Sequence, residues 1–346
     1  MSGAIMPKSR TDIGTETKDR HCLLIVPRHF YSFENHICGE LERRGYRVTV
    51  ANDEYPRGML GKILGKLQIP YVFTATEREF DRRYLGYGRR YDLALIFKGR
   101  GVSIGLIEKL RHTAGVVVGY NWDSFRLNRS PLRWLRAVSM YATFDYRDAQ
   151  RWSLPVIELF SAAHTLSGDK SYEYEVSAIV RNHSGRLRYI DRVFRTLQPC
   201  SSYISIFELN VFTFVFNFLR TPLLYVKYWR QIRFKPVPYE EYSRVMAESL
   251  FTIDYAHDTQ TGITMRCFEA VNARTKIITN NVYITRSPHF APSDYVVFDD
   301  RVPRPGLDEA LRRAAAQPFT SHPRTIAHFI DDLLRPCGAR LASNPF

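Results

Sequence analysis

Cysteine is scarce in this sequence and is not spaced for joint work. Cys22, Cys38, Cys200, Cys267 and Cys337 are scattered, odd in number and form no C-x-x-C, which argues against a disulfide framework or a cysteine zinc site and fits a reducing compartment. A secretory leader is not expected either: the first 20 residues, MSGAIMPKSRTDIGTETKDR, are polar, lack an apolar core and read as a disordered lead-in. A cytoplasmic protein is expected. There is no D-x-D pair, internal repeat or low-complexity tract, and no metal or cofactor is expected. Acidic residues are few against basic ones, 35 Asp+Glu to 49 Lys+Arg, a formal charge of +14. That excess implies an anionic partner: a membrane surface, a phosphorylated substrate or nucleic acid. No groove-binding motif accompanies the charge, so nucleic acid is not expected.

What is present reads as globular α/β. The hydrophobic fraction of 45% and charged fraction of 24% suit a folded chain, and 346 residues exceed the size at which one core stops growing. HCLLIV (21–26), YRVTVAN (46–52), DLALIFKG (92–99) and AGVVVGYN (114–121) are strand-like runs separated by helical ones, with a further strand expected somewhere in 55–90. The pattern restarts at EVSAIVRNHSGRLRYIDRVFRTL (175–197). The expected division is a first α/β domain at 21–160, a second at 170–320, and a terminal helix and tail at 321–346.

The stretch YISIFELNVFTFVFNFL (203–219) breaks the alternation. It is too short and too polar to be expected to span a bilayer. Arg220, Lys227, Arg230, Arg233 and Lys235 follow it, so 200–236 reads as an inserted apolar and basic segment. Two readings stay open: an interfacial helix at an anionic membrane surface through 203–235, or a core helix with solvated basic residues.

Chemistry is suggested where DYAHDTQTGITMRCFEAVNARTKIITNN (254–281) passes from strand to polar loop to helix to strand. The first amides of a helix favour an anion, so Gln260, Thr261, Gly262, Ile263 and Thr264 are candidate diphosphate ligands. Arg266 and Glu269 share one helix face, suited to phosphate oxygens and to paired sugar hydroxyls respectively. The plain alternative makes Thr264 an N-cap and Arg266–Glu269 a surface pair. Arg181, Asn182 and Arg186, with His183 and Arg188, form a second basic loop after a strand. In the first half, Arg28, His29, Tyr31 and Ser32 follow the first strand and are acceptor-side candidates, because parallel sheets bind ligands beyond their carboxyl ends. Asp123 in YNWDS sits at the same edge, as a general base or a turn aspartate, and His29 competes for the base role. GRGVSIG (99–105) imitates a dinucleotide fingerprint, but its G-x-G-x-x-x-G spacing departs from it, so an NAD(P)-dependent oxidoreductase is a minor alternative.

QTGITMRCFEAV followed by KIITNN resembles the donor-site signature of bacterial capsule and lipopolysaccharide glycosyltransferases of the GT-B fold, and EVSAIVRNHSGRLRYIDRV is similar to that family's first strand and loop in the nucleotide-binding domain. The resemblance implies an α/β protein of two Rossmann-like domains facing across a cleft, with a C-terminal helix crossing back. It implies a nucleotide-sugar held by the second domain and a glycan or lipid-linked acceptor, with enzymatic transfer in bacterial surface polysaccharide synthesis on the inner face of the cytoplasmic membrane. Glu269 then resembles the residue that binds the donor ribose, and the Gly262 to Thr264 amides the diphosphate loop; Arg266 is the candidate catalytic cation that would stabilise the departing diphosphate. Many relatives carry a second Glu eight residues before Glu269, where this chain has Thr261. That departure leaves open a non-catalytic, nucleotide- or anion-binding protein of the same fold.

Overall fold

The computed structural model describes residues 20–27, 33–161, 170–183, 185–298 and 307–343. In the first half, β1 (Arg20–Ile25), β2 (Tyr46–Ala51), β3 (Tyr91–Phe97), β4 (Ala114–Asn121) and β5 (Met140–Thr143) form a parallel sheet in the order β2-β1-β3-β4-β5. The helices are α1 (Phe33–Arg43), α2 (Met59–Lys66), α3 (Pro70–Arg83), α4 (Ile104–Thr113) and α5 (Tyr146–Trp152). Strands covered on both faces must be apolar throughout, which is why LLI and LALIF are continuous runs. Alternation sorts their side chains: Cys22, Leu24, Leu93 and Leu95 join Ile37 and Leu41 of α1 on one face. Leu23, Ile25, Ala94 and Ile96 join Phe80 of α3 and Leu106 and Leu110 of α4 on the other.

The strand expected within 55–90 is not there; α2 and α3 fill that stretch. Pro70 opens α3 at its first turn, where a missing N–H costs nothing, and the buried Val72, Thr76 and Phe80 recur at helical spacing.

The second sheet contains β6 (Tyr174–Arg181), β7 (Ser202–Phe207), β8 (Ile232–Arg233), β9 (Ser249–Asp254), β10 (Lys276–Thr279) and β11 (Tyr295–Val297), all parallel, in the order β11-β10-β9-β6-β7-β8. Around it run α6 (Arg186–Leu197), α7 (Val211–Arg220), α8 (Pro222–Lys227), α9 (Tyr239–Ala247), α10 (Met265–Asn272) and α11 (Leu307–Ala316). From β6 the chain winds outward through β7 to β8, then returns to the centre at β9 and winds the other way. The order reverses between β6 and β9, the position at which doubly wound sheets bind ligands.

The 203–219 stretch is not one helix. Its first part is β7; Glu208 is buried at the turn, and Asn210 caps α7 by accepting the Thr213 N–H at 2.9 Å while the Thr213 hydroxyl accepts from the Asn210 N–H at 3.2 Å. At the carboxyl end, α12 (Ile326–Leu334) and α13 (Gly338–Ser343) return to the first domain. Arg44 pairs with Asp331 at 2.6 Å, and the Phe329 ring packs against Tyr120 and Phe160 at centroid distances of 5.0 and 4.9 Å. The C-terminal helix therefore crosses back.

Candidate active site

The carboxyl ends of the two sheets meet at one loop. After β5, Phe144 leads to Asp145, which caps α5 by accepting the N–H groups of Arg147 and Asp148. The same buried carboxylate accepts the Thr261 N–H at 2.6 Å on Oδ2 and the Thr261 hydroxyl at 2.8 Å on Oδ1. Arg147 donates its N–H to Thr261 Oγ1 at 3.1 Å. The next residue must be glycine, since a Cβ at Gly262 would lie 2.3 Å from the Phe144 ring. Asn281 holds the carbonyls of Thr261 and Gly262 from the other side, at 3.2 and 3.1 Å. The amide and hydroxyl of Thr261 are thus engaged by the first domain, and Ile263 is buried in a core shared by both domains. These contacts fix the loop and commit the Thr261 amide and hydroxyl to it. Gln260 stands half-buried at the head of that loop, its N–H bonded to the His257 carbonyl at 2.8 Å.

Thr264 does begin α10, but its hydroxyl donates to Asp254 Oδ1 at 2.6 Å; the other oxygen of that carboxylate accepts from Thr279 at 2.9 Å. Asp254, at the end of β9, therefore ties the helix start to two strands.

Arg266 occupies the reversal point itself. β6 and β9 pair as far as Ser177 and Thr252. Two residues beyond Ser177 and one beyond Thr252, the carbonyls of Ile179 and Ile253 both accept from the Arg266 guanidinium, Ile253 at 3.2 Å and Ile179 at 2.5 Å. The arginine holds the strand ends where they part. On the same face of α10, Glu269 Oε2 accepts the Tyr242 hydroxyl at 2.6 Å. Burial pushes the Glu269 carboxyl above its ordinary range, opposed by the Tyr242 hydrogen bond and by Arg266. Arg266 and Glu269 are accordingly partly buried and bridged through Tyr242, not a surface pair.

On the other side of the reversal point, β6 ends at Arg181, and Gly185, at φ 85°, precedes α6. Among the described residues no side chain caps this 12-residue helix, and Arg186 and Arg188 stand in its first turn. The Tyr255 ring packs on Tyr189 at 5.2 Å, so the loop after β9 lies against the start of α6. Asn182 is turned towards the end of β7 and α8: its Nδ2 donates to Glu208 Oε1 at 2.8 Å and to the Tyr225 hydroxyl at 2.6 Å.

At the carboxyl edge of the first sheet, Asp123 Oδ2 lies 2.7 Å from Lys98 Nζ. Lys98 and Gly99 both have positive φ, 61° and 58°. Beside them the Arg100 N–H reaches Asp53 Oδ2 at 3.2 Å, and burial pushes the Asp53 carboxyl up to about 6, reinforced by Glu54. The glycine-rich 99–105 segment is filled by protein: a Cβ at Gly99 would lie 2.6 Å from Trp134, and one at Gly101 2.6 Å from Thr76. Those two glycines are thus accounted for by close packing within the protein. Arg28, His29, Tyr31 and Ser32 lie outside the described residues. Among the described residues no cluster of His, Cys, Asp or Glu is arranged to hold a metal, and no helix is long and apolar enough to cross a membrane.

Two doubly wound parallel sheets of orders 2-1-3-4-5 and 3-2-1-4-5-6, joined across their carboxyl edges and clasped by a returning C-terminal helix, form a recognisable architecture. The chain matches Anabaena HepE in complex with UDP-glucose over 92% of its length and 99% of that chain, at TM-score 0.54 and 10% identity. It matches the Methanocaldococcus jannaschii UDP-GlcNAc 2-epimerase over 92% of its length and 99% of that chain, at TM-score 0.52 and 10% identity. AviGT4, a glycosyltransferase involved in avilamycin A biosynthesis, matches over 94% and 99%, at TM-score 0.51 and 12% identity. The chain has the GT-B fold. No family model matches it, and no curated protein does. At these identities the likeness is one of fold, and it spans both GT-B domains.

Asp145, Tyr242, Glu208, Lys98 and Asp53 are absent from the sequence-based candidates. Each acts on a partner distant in sequence, and only the N-capping pattern at Asp145 carried a local signal.

Proposed function

We propose that the chain is a glycosyltransferase that moves a sugar from a nucleoside-diphosphate donor to a glycan or lipid-linked acceptor in surface polysaccharide synthesis. The observation that carries this reading is the reversal point between β6 and β9, floored by Arg266 and flanked by the α6 start with Arg181, Arg186 and Arg188. Amides at a helix start and guanidinium groups suit a diphosphate, whose charge rises as it leaves, so stabilisation there accelerates transfer. Arg266, held by two carbonyls, acts as a fixed positive charge beneath the leaving group. Glu269 retains the role of accepting ribose hydroxyls, and Tyr242 sets its orientation. Asp123 serves as base for the acceptor hydroxyl, with Lys98 positioning the carboxylate; His29 is the competing base. The gap between the sheets brings donor and acceptor together.

Support comes from fold neighbours that bear UDP-glucose or UDP-GlcNAc. Because one of them is an epimerase, the test must follow the sugar. Purified protein is incubated with labelled UDP-sugars, with and without a membrane extract as acceptor. Label in a glycan or lipid product supports transfer; sugar epimerised without acceptor identifies an epimerase; nucleotide binding with neither outcome identifies the non-catalytic alternative, which Thr261 favours because it stands where relatives carry an acid.

A further inference from the structure

α7 is inverted relative to an ordinary surface helix. Thr213, Phe214, Asn217 and Phe218 form its half-buried inner face, whereas Val211, Phe212, Val215, Phe216 and Leu219 form the outer one. Those five fall within one arc at 3.6 residues per turn, and Phe212 and Leu219 are 86% and 73% exposed. The face continues onto α8 and the turn beyond it through Leu223, Val226 and Trp229, with Leu223 83% exposed. A contiguous exposed apolar surface marks an interaction site.

This face is not a core surface left open by loose packing. Glu208, fully buried, accepts from Asn217 Nδ2 at 3.2 Å, from the Tyr225 hydroxyl and from Asn182, so one carboxylate fixes α7, α8 and the loop after β6 together. The Phe214 and Phe218 rings close on Tyr225 at 5.3 and 5.9 Å. The inner face is satisfied, and the outer one is held away from it.

Charge decides the occupant. Between Glu208 and Glu240 there is no acidic residue, while Arg220, Lys227, Arg230, Arg233 and Lys235 all lie in that interval. The Arg220 guanidinium lies over the Phe216 ring at 5.3 Å, which sets a cation at the border of the apolar face. Exposed phenylalanine and leucine, a half-exposed tryptophan and bordering arginines match an acyl boundary below anionic headgroups. Lys227 is paired with Asp191 at 2.6 Å, so a second copy of this chain would bring the other four like charges against four.

We infer that the outer face of α7 and α8 docks in the plane of an anionic lipid bilayer, with Phe212, Phe216, Leu219 and Leu223 entering the acyl boundary and Arg220, Arg230 and Lys235 meeting lipid phosphates. Through Glu208 and Asn182 the docked hairpin is attached to the loop that precedes α6, so the reversal-point crevice is held at the membrane. Docking concerns residues outside the crevice and is read without nucleotide or sugar.

The test is flotation of the full chain with vesicles of phosphatidylcholine alone or mixed with phosphatidylglycerol. The wild type is expected to float with the anionic vesicles about tenfold or more better than with the neutral ones. Phe212→Glu/Leu219→Glu abolishes flotation with an unchanged melting point, since both side chains are exposed. Arg220→Glu/Arg230→Glu/Lys235→Glu removes the preference for anionic lipid. Absence of wild-type flotation, or equal flotation of the variants, overturns the proposal. So does a wild-type dimer that Phe212→Glu/Leu219→Glu splits in the absence of any vesicle binding.

Discussion

Asp145 and Thr261 are joined by two hydrogen bonds, from the Thr261 N–H at 2.6 Å and from its hydroxyl at 2.8 Å, although 116 residues separate them. One buried carboxylate therefore caps α5 in the first domain and secures the loop that enters α10 in the second.

Replacing Asp145 with alanine strands the Thr261 donors and uncaps α5. Loss of buried hydrogen bonds to a charged group together with a cap is expected to cost about 2–4 kcal/mol. Urea unfolding reads the change, and a stability within error of wild type would contradict the linkage.

Gly262 and Phe144 make a second contact across the same seam. Gly262→Ala places a methyl against the Phe144 ring, an overpacking expected to cost roughly 1–3 kcal/mol. Phe144→Ala removes the obstacle, so the double variant should be markedly more stable than the sum of the two single changes indicates. Strict additivity would show that the ring does not meet Gly262.

The buried acid Asp53 makes stability depend on pH. Its carboxyl titrates at about 6 in the folded protein against an ordinary 3.8, so the native state binds the proton more tightly than the unfolded chain. Its contribution is fully present below the ordinary carboxylate range and is lost as pH rises through about 6, on the order of 2–3 kcal/mol. Asp148, also raised to about 6, declines in the same direction. Asp53→Asn should flatten the melting-point profile between pH 4 and 7 by about half; an unchanged slope would assign it to other groups.

Arg266→Ala exposes the ends of two strands and leaves Glu269 buried without its cation, a loss of about 3–5 kcal/mol. Arg266→Lys keeps the charge but not the fork, so it should retain more nucleotide affinity than stability. Equal losses of both in the two variants would contradict the fork by which Arg266 holds the two strand ends.

Much of the fold was legible. AGVVVGYN is β4 to the residue, because a strand buried on both faces writes itself as an apolar run. The 55–90 region misled because Gly58, Gly61, Gly65, Pro56 and Pro70 obscured two amphipathic helices. The 203–219 stretch misled because apolar residues continue through a strand, a turn and a helix, and the break is marked only by Glu208 and Asn210. At the site, local signals were readable: the helix start at Thr264 and the shared face of Arg266 and Glu269. What those side chains touch was not, since Tyr242, Ile179, Asp145 and Asp254 approach them through the sheet topology, and spacing carries no record of that.

We propose that a nucleoside diphosphate binds beyond the ends of β6 and β9, and the most direct measurement is a melting-point titration with UDP, GDP, ADP, CMP and NADH on the wild type and on Arg181→Ala/Arg186→Ala. A ligand that binds only the folded state must raise the melting point, by about 2.7 kcal/mol of stabilisation at a hundredfold excess over its Kd. One nucleoside diphosphate should stabilise the wild type and fail to stabilise the double variant. Stabilisation by NADH alone, or an equal nucleotide shift in both proteins, would contradict the account.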